Sequence, residues 1–184
     1  MSRRFWLENI IKEKKYTKGV ELGVLRGPTF KYLIEKCPNL TLYGVDVFFD
    51  DRVWKPMGIT TTKELLELDP VPWYDELLEF CKENAPRANL IRNFTALAAS
   101  DFEDDSLDFV FIDADHTYEG VKKDIDAWYP KVKKGGLVSG HDIDWPDVKR
   151  AVDENFSNKF LFGRSILGYN IGPDNVWFTY KQGF

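Results

Sequence analysis

The stretch Leu107-Asp108-Phe109-Val110-Phe111-Ile112-Asp113-Ala114-Asp115-His116 decides how the rest of the chain is read. Its first six residues are almost continuously apolar, the pattern of a strand covered on both faces, as in a parallel sheet. The run then stops in two carboxylates and an imidazole. In open α/β sheets ligands bind in the crevice beyond the carboxyl ends of the strands, so this strand end is a place for chemistry. The step from Asp113 to His116 is short enough for one turn to bring both side chains to a common pocket. A plainer role competes for Asp115 and His116, which can cap the helix expected over residues 117–128.

Upstream, residues 19–22 read as a first strand, broken by glycine in the spacing Glu21-x-Gly23-x-x-x-Gly27. Pro28 suits the first position of a helix over residues 29–36. Glycines here permit a tight turn and close approach of a ligand, and the helix N-terminus behind them offers free N–H groups to an anionic group. Alone, two glycines after a strand describe an ordinary strand-to-helix turn. Thr41–Asp46 then reads as a second strand that ends in an acid, and an acid there is placed to accept hydrogen bonds from ribose hydroxyls. Ala88–Arg92 is a third strand, with Asn93, Phe94 and Thr95 at its ligand end and a helix over residues 96–100.

Downstream, residues 133–136 (Lys-Lys-Gly-Gly) read as a turn and residues 137–140 as a fifth strand, which empties into His141, Asp142 and Asp144. The chain has two histidines, and both fall at these two strand ends. If the strands are neighbours, Asp113, His116, His141 and Asp142 surround one point. Such a mixed set suits a divalent transition ion, or Mg²⁺ where oxygens dominate; the competing role for His141 and Asp142 is ordinary loop hydrogen bonding.

The remaining segments frame this core. Residues 5–15 form an amphipathic helix with Phe5, Trp6, Ile10 and Ile11 on its apolar side. Residues 48–72 are irregular, with one helical patch over 62–68, and so long a connection reads as a lid or binding loop. Trp54 and Met57 within it either touch a substrate or tuck into the core edge. Helices follow over 73–84 and 147–155. Residues 160–163 and 175–180 are two strands joined by a glycine-rich loop, 168–173, and would form a hairpin at one sheet edge.

With 184 residues, 43% of them hydrophobic, the chain suits a single folded domain over residues 1–184. A formal net charge of −5 argues against a nucleic-acid backbone as partner. Cys37 and Cys81 lie far apart and form no metal-type pair, so a reduced, cytoplasmic setting is expected. The basic start lacks a signal-peptide core, and no apolar run is long enough to span a membrane.

The order Glu-x-Gly-x-x-x-Gly, strand-end Asp46, FIDADHTYEGVKKDI and KKGGLVSGHD resembles class I S-adenosylmethionine-dependent methyltransferases. It is most similar to the small-molecule O-methyltransferases of the macrocin and mycinamicin type, over roughly residues 18–142. The resemblance implies a Rossmann-like, doubly wound α/β fold with a seven-stranded, mostly parallel sheet and a C-terminal antiparallel hairpin. It implies that Glu21, Gly23, Gly27, Thr29 and Asp113 surround the methionine part of S-adenosylmethionine, that Asp46 holds the ribose, and that Asn93 to Thr95 neighbour the adenine. It further implies Asp113, His141 and Asp142 as ligands of a divalent ion (Mg²⁺ or Mn²⁺), His116 as general base, and a small-molecule hydroxyl as acceptor. The sequence departs from the family at His141, where an acid is usual, which shifts the expected preference toward Mn²⁺, Co²⁺ or Zn²⁺. Two other readings stay open: a glycosyltransferase using the sequence Asp113-Ala114-Asp115, and a domain that binds the cofactor without turnover.

Overall fold

The structure is a computed structural model, which describes residues 2–49, 61–162 and 175–182. Its helices are α1 (Arg3–Lys14), α2 (Pro28–Lys36), α3 (Thr62–Leu66), α4 (Trp73–Glu83), α5 (Thr95–Ala98), α6 (Tyr118–Trp128) and α7 (Pro146–Asn155). Its strands are β1 (Lys18–Leu22), β2 (Thr41–Asp46), β3 (Ala88–Arg92), β4 (Leu107–Ile112), β5 (Val132–Gly140), β6 (Phe160–Phe162) and β7 (Val176–Tyr180). They form one sheet in the order β3-β2-β1-β4-β5-β7-β6. The first five pair in parallel, and β7 and β6 are antiparallel. Six strands have five residues or more, against the seven that the resemblance implies; the seventh place is held only by the three residues of β6.

Every residue of β4 is buried, which accounts for its unbroken apolar run. Alternation sends Phe109 and Phe111 to one face, against Leu7, Phe30 and Leu33, and Val110 and Ile112 to the other, against Ile125, Trp128 and Trp177. Full burial of each such side chain contributes roughly 1.5–3 kcal/mol. The one acid inside the strand, Asp108, is satisfied. Its carboxylate accepts from the backbone N–H groups of Thr17 and Lys18, at 2.7 and 2.9 Å, and from Lys133 Nζ at 2.6 Å. Burial alone would raise its pKa, but these donors outweigh it and lower it.

The strand order reverses between β1 and β4, the switch point where a crevice opens in such sheets. Register decides what stands around that crevice. Leu22 lies opposite Ile112, and Ile112 opposite Gly140. The ladder continues past the strand ends: Gly23 N–H donates to the Val45 carbonyl (2.9 Å), Asp113 N–H to Leu22 (2.8 Å) and His141 N–H to Ile112 (3.1 Å). Residues 23, 113 and 141 are therefore set side by side by backbone hydrogen bonds.

The clearest departure from expectation is at residues 133–136, which extend β5 instead of turning. Gly135 has φ +77°, and the β4–β5 register shifts between Leu107 and Phe109. Gly135 N–H donates to the Lys181 carbonyl and Lys181 N–H to Gly136, at 2.8 and 2.9 Å. The two glycines thus supply a bulge, which bends a strand without ending it. Of the long connection after β2, residues 50–60, with Trp54 and Met57, lie outside the described residues, as does most of the β6–β7 loop, so the lid reading does too. Its two ends are held together. Val71 N–H donates to the Phe48 carbonyl (2.8 Å), Arg92 Nη2 donates to Leu68 (2.7 Å), and the buried Phe48 ring lies 4.6 Å from that of Tyr74. No helix among the described residues is long and apolar enough to cross a membrane.

Candidate active site

A cavity of about 1060 Å³ opens over the carboxyl ends of β1, β2, β3 and β4. Its floor is the glycine turn. Gly23 has φ +83°, and a Cβ on it would lie 2.0 Å from the Asp113 carbonyl oxygen. Both the left-handed backbone and the close approach of the Asp113 chain demand glycine. Gly23→Ala should therefore destabilise the protein by roughly 1–3 kcal/mol and deform this floor; a denaturant titration that matches the parent would contradict this. Gly27 is also left-handed, at φ +74°, but a Cβ there would meet Leu77 at 2.4 Å. It shapes the entry to α2 and does not line the cavity.

Asp46 lines the cavity and fixes the same turn. Its Oδ2 accepts from the N–H groups of Val24 (2.8 Å) and Leu25 (2.9 Å), and its Oδ1 from Phe48 N–H (2.8 Å). A carboxylate offers about four acceptor positions, so part of its capacity remains for a ligand hydroxyl. Glu21 is 3% exposed, and its Oε2 has no hydrogen-bond partner among the described residues. Burial first, and the charge of Asp113 second, push its pKa well above the usual carboxylate range. A buried, unpaired acceptor facing a cavity is what an incoming ammonium group would satisfy. Thr29, at the first turn of α2, is buried and lines the same wall. Asn93 does not line the cavity; its Oδ1 accepts from Phe94 N–H, and Phe94, Thr95 and Leu97 form that wall instead.

At the ends of β4 and β5 the two histidines and two of the acids meet. His116 Nε2 lies 2.7 Å from Asp142 Oδ2 and 3.6 Å from Asp113 Oδ1, and His141 Nδ1 lies 3.1 Å from Asp142 Oδ2 and 3.5 Å from Asp113 Oδ1. Asp113, His141 and Asp142 each offer a ligand atom, all within 4.8 Å of one another. Burial raises the Asp113 pKa, but His116, His141 and Arg3 together lower it. The hydrogen bond to Asp113 is the main cause that raises His116, while for His141 the pull of Asp113 and Asp142 overcomes the opposing effect of burial. Asp142 stands at φ +53°, in the left-handed region that aspartate tolerates better than most residues.

Asp115 is engaged in the turn that leads into α6, whose cap is Thr117. Its Oδ1 accepts from Thr117 N–H (2.9 Å), and Thr117 Oγ1 accepts from Gly120 N–H (3.1 Å) to cap α6. His116 is left to the cluster, its ring 4.9 Å from that of the half-exposed Trp145.

Three residues of the site carry no pattern in the sequence that marks them. Arg3 comes from α1, which Trp6, Leu7 and Ile11 anchor in the core. Its guanidinium lies 3.4 Å from Asp113 Oδ2 and 3.1 Å from the His141 ring nitrogens. In the sequence it is only part of a basic start. Trp145 precedes a proline, and Asp124 sits inside a helix; neither announces a cavity.

A family model described as a methyltransferase domain matches residues 20–143. The chain belongs to this methyltransferase-domain family. Solved structures share its fold. Cofactor-bound Rv0187 from MTB superposes with a TM-score of 0.67 at 14% identity, covering 99% of this chain and 81% of that one. A provisionally assigned caffeoyl-CoA O-methyltransferase from Staphylococcus aureus gives 0.66 at 13% identity, covering 98% and 84%. A spermidine synthase from Thermotoga maritima gives 0.56 at 18% identity, covering 90% and 53%. Identities this low speak for the fold and leave substrate open. Among curated proteins, uncharacterized protein y4gI of Sinorhizobium fredii is 35% identical over 57 residues, 31% of this chain. The match spans only 6% of that relative's length.

Family and fold support S-adenosylmethionine as methyl donor for this methyltransferase. The residues fit it: an unpaired buried Glu21 oxygen suits the ammonium of the methionine part, the Gly23 turn admits its close approach, and Asp46 stands where a ribose would lie.

Proposed function

We propose that this methyltransferase moves the methyl group of S-adenosylmethionine onto a hydroxyl oxygen of a small molecule of sugar or phenol type. The observation that carries the reading is the convergence of His116, His141, Asp113 and Asp142, each imidazole within 2.7–3.6 Å of both carboxylates, in the same cavity as Glu21 and Asp46. S-adenosylmethionine supplies a sulfonium-activated methyl, so the protein has to position the acceptor and remove one proton. His116 is the group for that proton. Its Nε2 faces Asp142 Oδ2 at 2.7 Å and Asp113 Oδ1 at 3.6 Å, and these two carboxylates stabilise the imidazolium that it becomes. Trp145 flanks the ring and offers an apolar wall to an acceptor.

Asp113, His141 and Asp142 would hold a divalent ion, whose contribution is to lower the pKa of the acceptor hydroxyl. The imidazole in this set favours Mn²⁺, Co²⁺ or Zn²⁺ relative to an all-oxygen site. Arg3 already brings positive charge to the same carboxylate, which offsets repulsion between Glu21 and Asp113. The glycosyltransferase reading loses ground, because Asp115 of its Asp-x-Asp sequence is engaged by the Thr117 N–H in the turn before α6. With the acidic charge balance, the acceptor is neither nucleic acid nor a membrane surface, and the whole chain works as one domain in a reducing, cytoplasmic setting.

Calorimetric titration with S-adenosylhomocysteine tests the donor. The expected affinity is micromolar, roughly −8 kcal/mol, and binding of NAD in its place would overturn the reading. For the ion, activity should fall in excess chelator and return more fully with Mn²⁺ than with Mg²⁺. Full activity in chelator would leave His116 as an unaided base.

A further inference from the structure

We infer that Asp124 reads the nucleoside base, its buried carboxyl group pairing with the amino edge of adenine at the end of the cavity walled by Phe94 and Leu97. This rests on the S-adenosylmethionine reading above and adds the residue that recognises its base. Asp124 lies in α6 on the same face as Gly120, one turn away, and both line the cavity. It is 1% exposed, and neither carboxyl oxygen has a well-aligned hydrogen bond among the described residues, the Thr95 hydroxyl being the one donor close enough to act on it. Leaving such a group unpaired is costly, and native structures rarely do so without a reason. Its neighbours do not supply one. The Thr95 hydroxyl draws the pKa down only in part, and the nearest acid, Asp115, is engaged by Thr117 N–H.

The surroundings narrow the ligand. Phe94, Ala96 and Leu97 offer apolar walls suited to a flat ring, and Asp46, the ribose acid, lies on the same cavity. Burial pushes the Asp124 carboxyl up to about 7, with the charge of Asp115 adding to the rise. In the protonated form that burial favours, the carboxyl both donates and accepts. That pair matches the ring nitrogen and exocyclic amino group of adenine. Guanine presents two donors on the corresponding edge and suits an ionised carboxylate instead; a carboxylic acid meets the reversed edge of hypoxanthine by exchanging the roles of its two oxygens, whereas unsubstituted purine lacks the amino donor and leaves one carboxyl oxygen unpaired.

The test compares S-adenosylhomocysteine with its 6-deamino analogue, in which unsubstituted purine replaces adenine, by calorimetry on the parent, Asp124→Asn and Asp124→Leu, with thermal melting of each free protein. The parent should prefer the adenine compound by roughly tenfold or more, one well-made hydrogen bond. Asp124→Asn, whose amide also donates and accepts, should keep that preference. Asp124→Leu should bind the adenine compound at least tenfold more weakly, lose the preference, and melt no lower than the parent, since an unpaired buried group has been removed. Parental affinity and preference in Asp124→Leu would overturn the inference. So would an equal loss for both compounds with a lowered melting temperature, which marks a structural role. Failure of the parent to bind either compound would instead overturn the donor assignment.

Discussion

His116→Ala should lower kcat by roughly a hundredfold or more while S-adenosylhomocysteine still binds with parental affinity. The imidazole touches Asp113 and Asp142 at the acceptor side of the cavity, and its loss removes no group assigned to the cofactor. Its protonation gives a second, independent readout. The hydrogen bond to Asp113, assisted by the charge of Asp142, raises the His116 pKa above the ordinary imidazole value. In the ion-free protein, NMR titration should therefore find His116 still protonated above pH 6.5. The sign for stability follows. A raised folded-state pKa stabilises the fold fully below the unfolded value and loses that contribution as pH rises through the folded value. Denaturant midpoints of the ion-free parent should thus drop as pH climbs past about 6.5, and His116→Ala should flatten that drop. Unchanged turnover in His116→Ala would remove the residue from catalysis.

Asp113→Ala should abolish turnover and also cost stability, by roughly 3–5 kcal/mol as for a broken buried ion pair. Arg3, His116 and His141 all face its carboxylate at 3.4–3.6 Å, and removing it leaves them with Asp142 as the remaining acid of the cluster. Here the linkage runs the other way. The Asp113 pKa is lowered despite burial, because the two histidines and Arg3 hold the charged form. Its contribution is present above the unfolded value near 3.8 and is lost as pH falls through the folded value. The difference between parent and variant should therefore be largest near neutral pH and shrink in acid. Asp113 also raises the Glu21 pKa, so part of the loss should be offset by relief of that repulsion. Asp113→Asn, which keeps the shape, should retain more stability and still lack activity. Parental kcat in Asp113→Asn would refute the assignment of this carboxylate to the reaction.

The sheet was legible because its signals were redundant. Leu107–Ile112, Thr41–Asp46 and Ala88–Arg92 are apolar runs bounded by breakers or acids, and their limits were readable to the residue. The meeting of Asp113, His116, His141 and Asp142 followed from placing β4 and β5 side by side, which right-handed parallel connections favour. What stayed hidden depends on geometry that no local pattern encodes. Arg3 reaches the cluster because Trp6 packs on Phe178, a contact between opposite ends of the chain. Lys133 to Gly136 looked like a turn because two adjacent glycines usually make one; only their pairing with Lys181 turns them into a bulge. Asn93 is expected at the base, but its side chain closes on its own neighbour, while Asp124, which lies in the stretch FIDADHTYEGVKKDI without a role assigned to it there, faces the cavity from α6.

The clamp between Phe48 and Val71 also bears on how such a chain can change over time. Because the N–H of Val71 meets the Phe48 carbonyl and Arg92 grips Leu68, the connection after β2 begins and ends at nearly one point before α4. Lengthening a chain between fixed ends costs little, about 0.6 kcal/mol for each doubling in the loop-closure relation. Insertions and deletions between these two anchors are then nearly neutral for folding, while the sheet and its strand-end groups keep their registration. Descendants of this gene should vary most in length at this place, and new acceptor specificities can arise there without the catalytic side chains having to move.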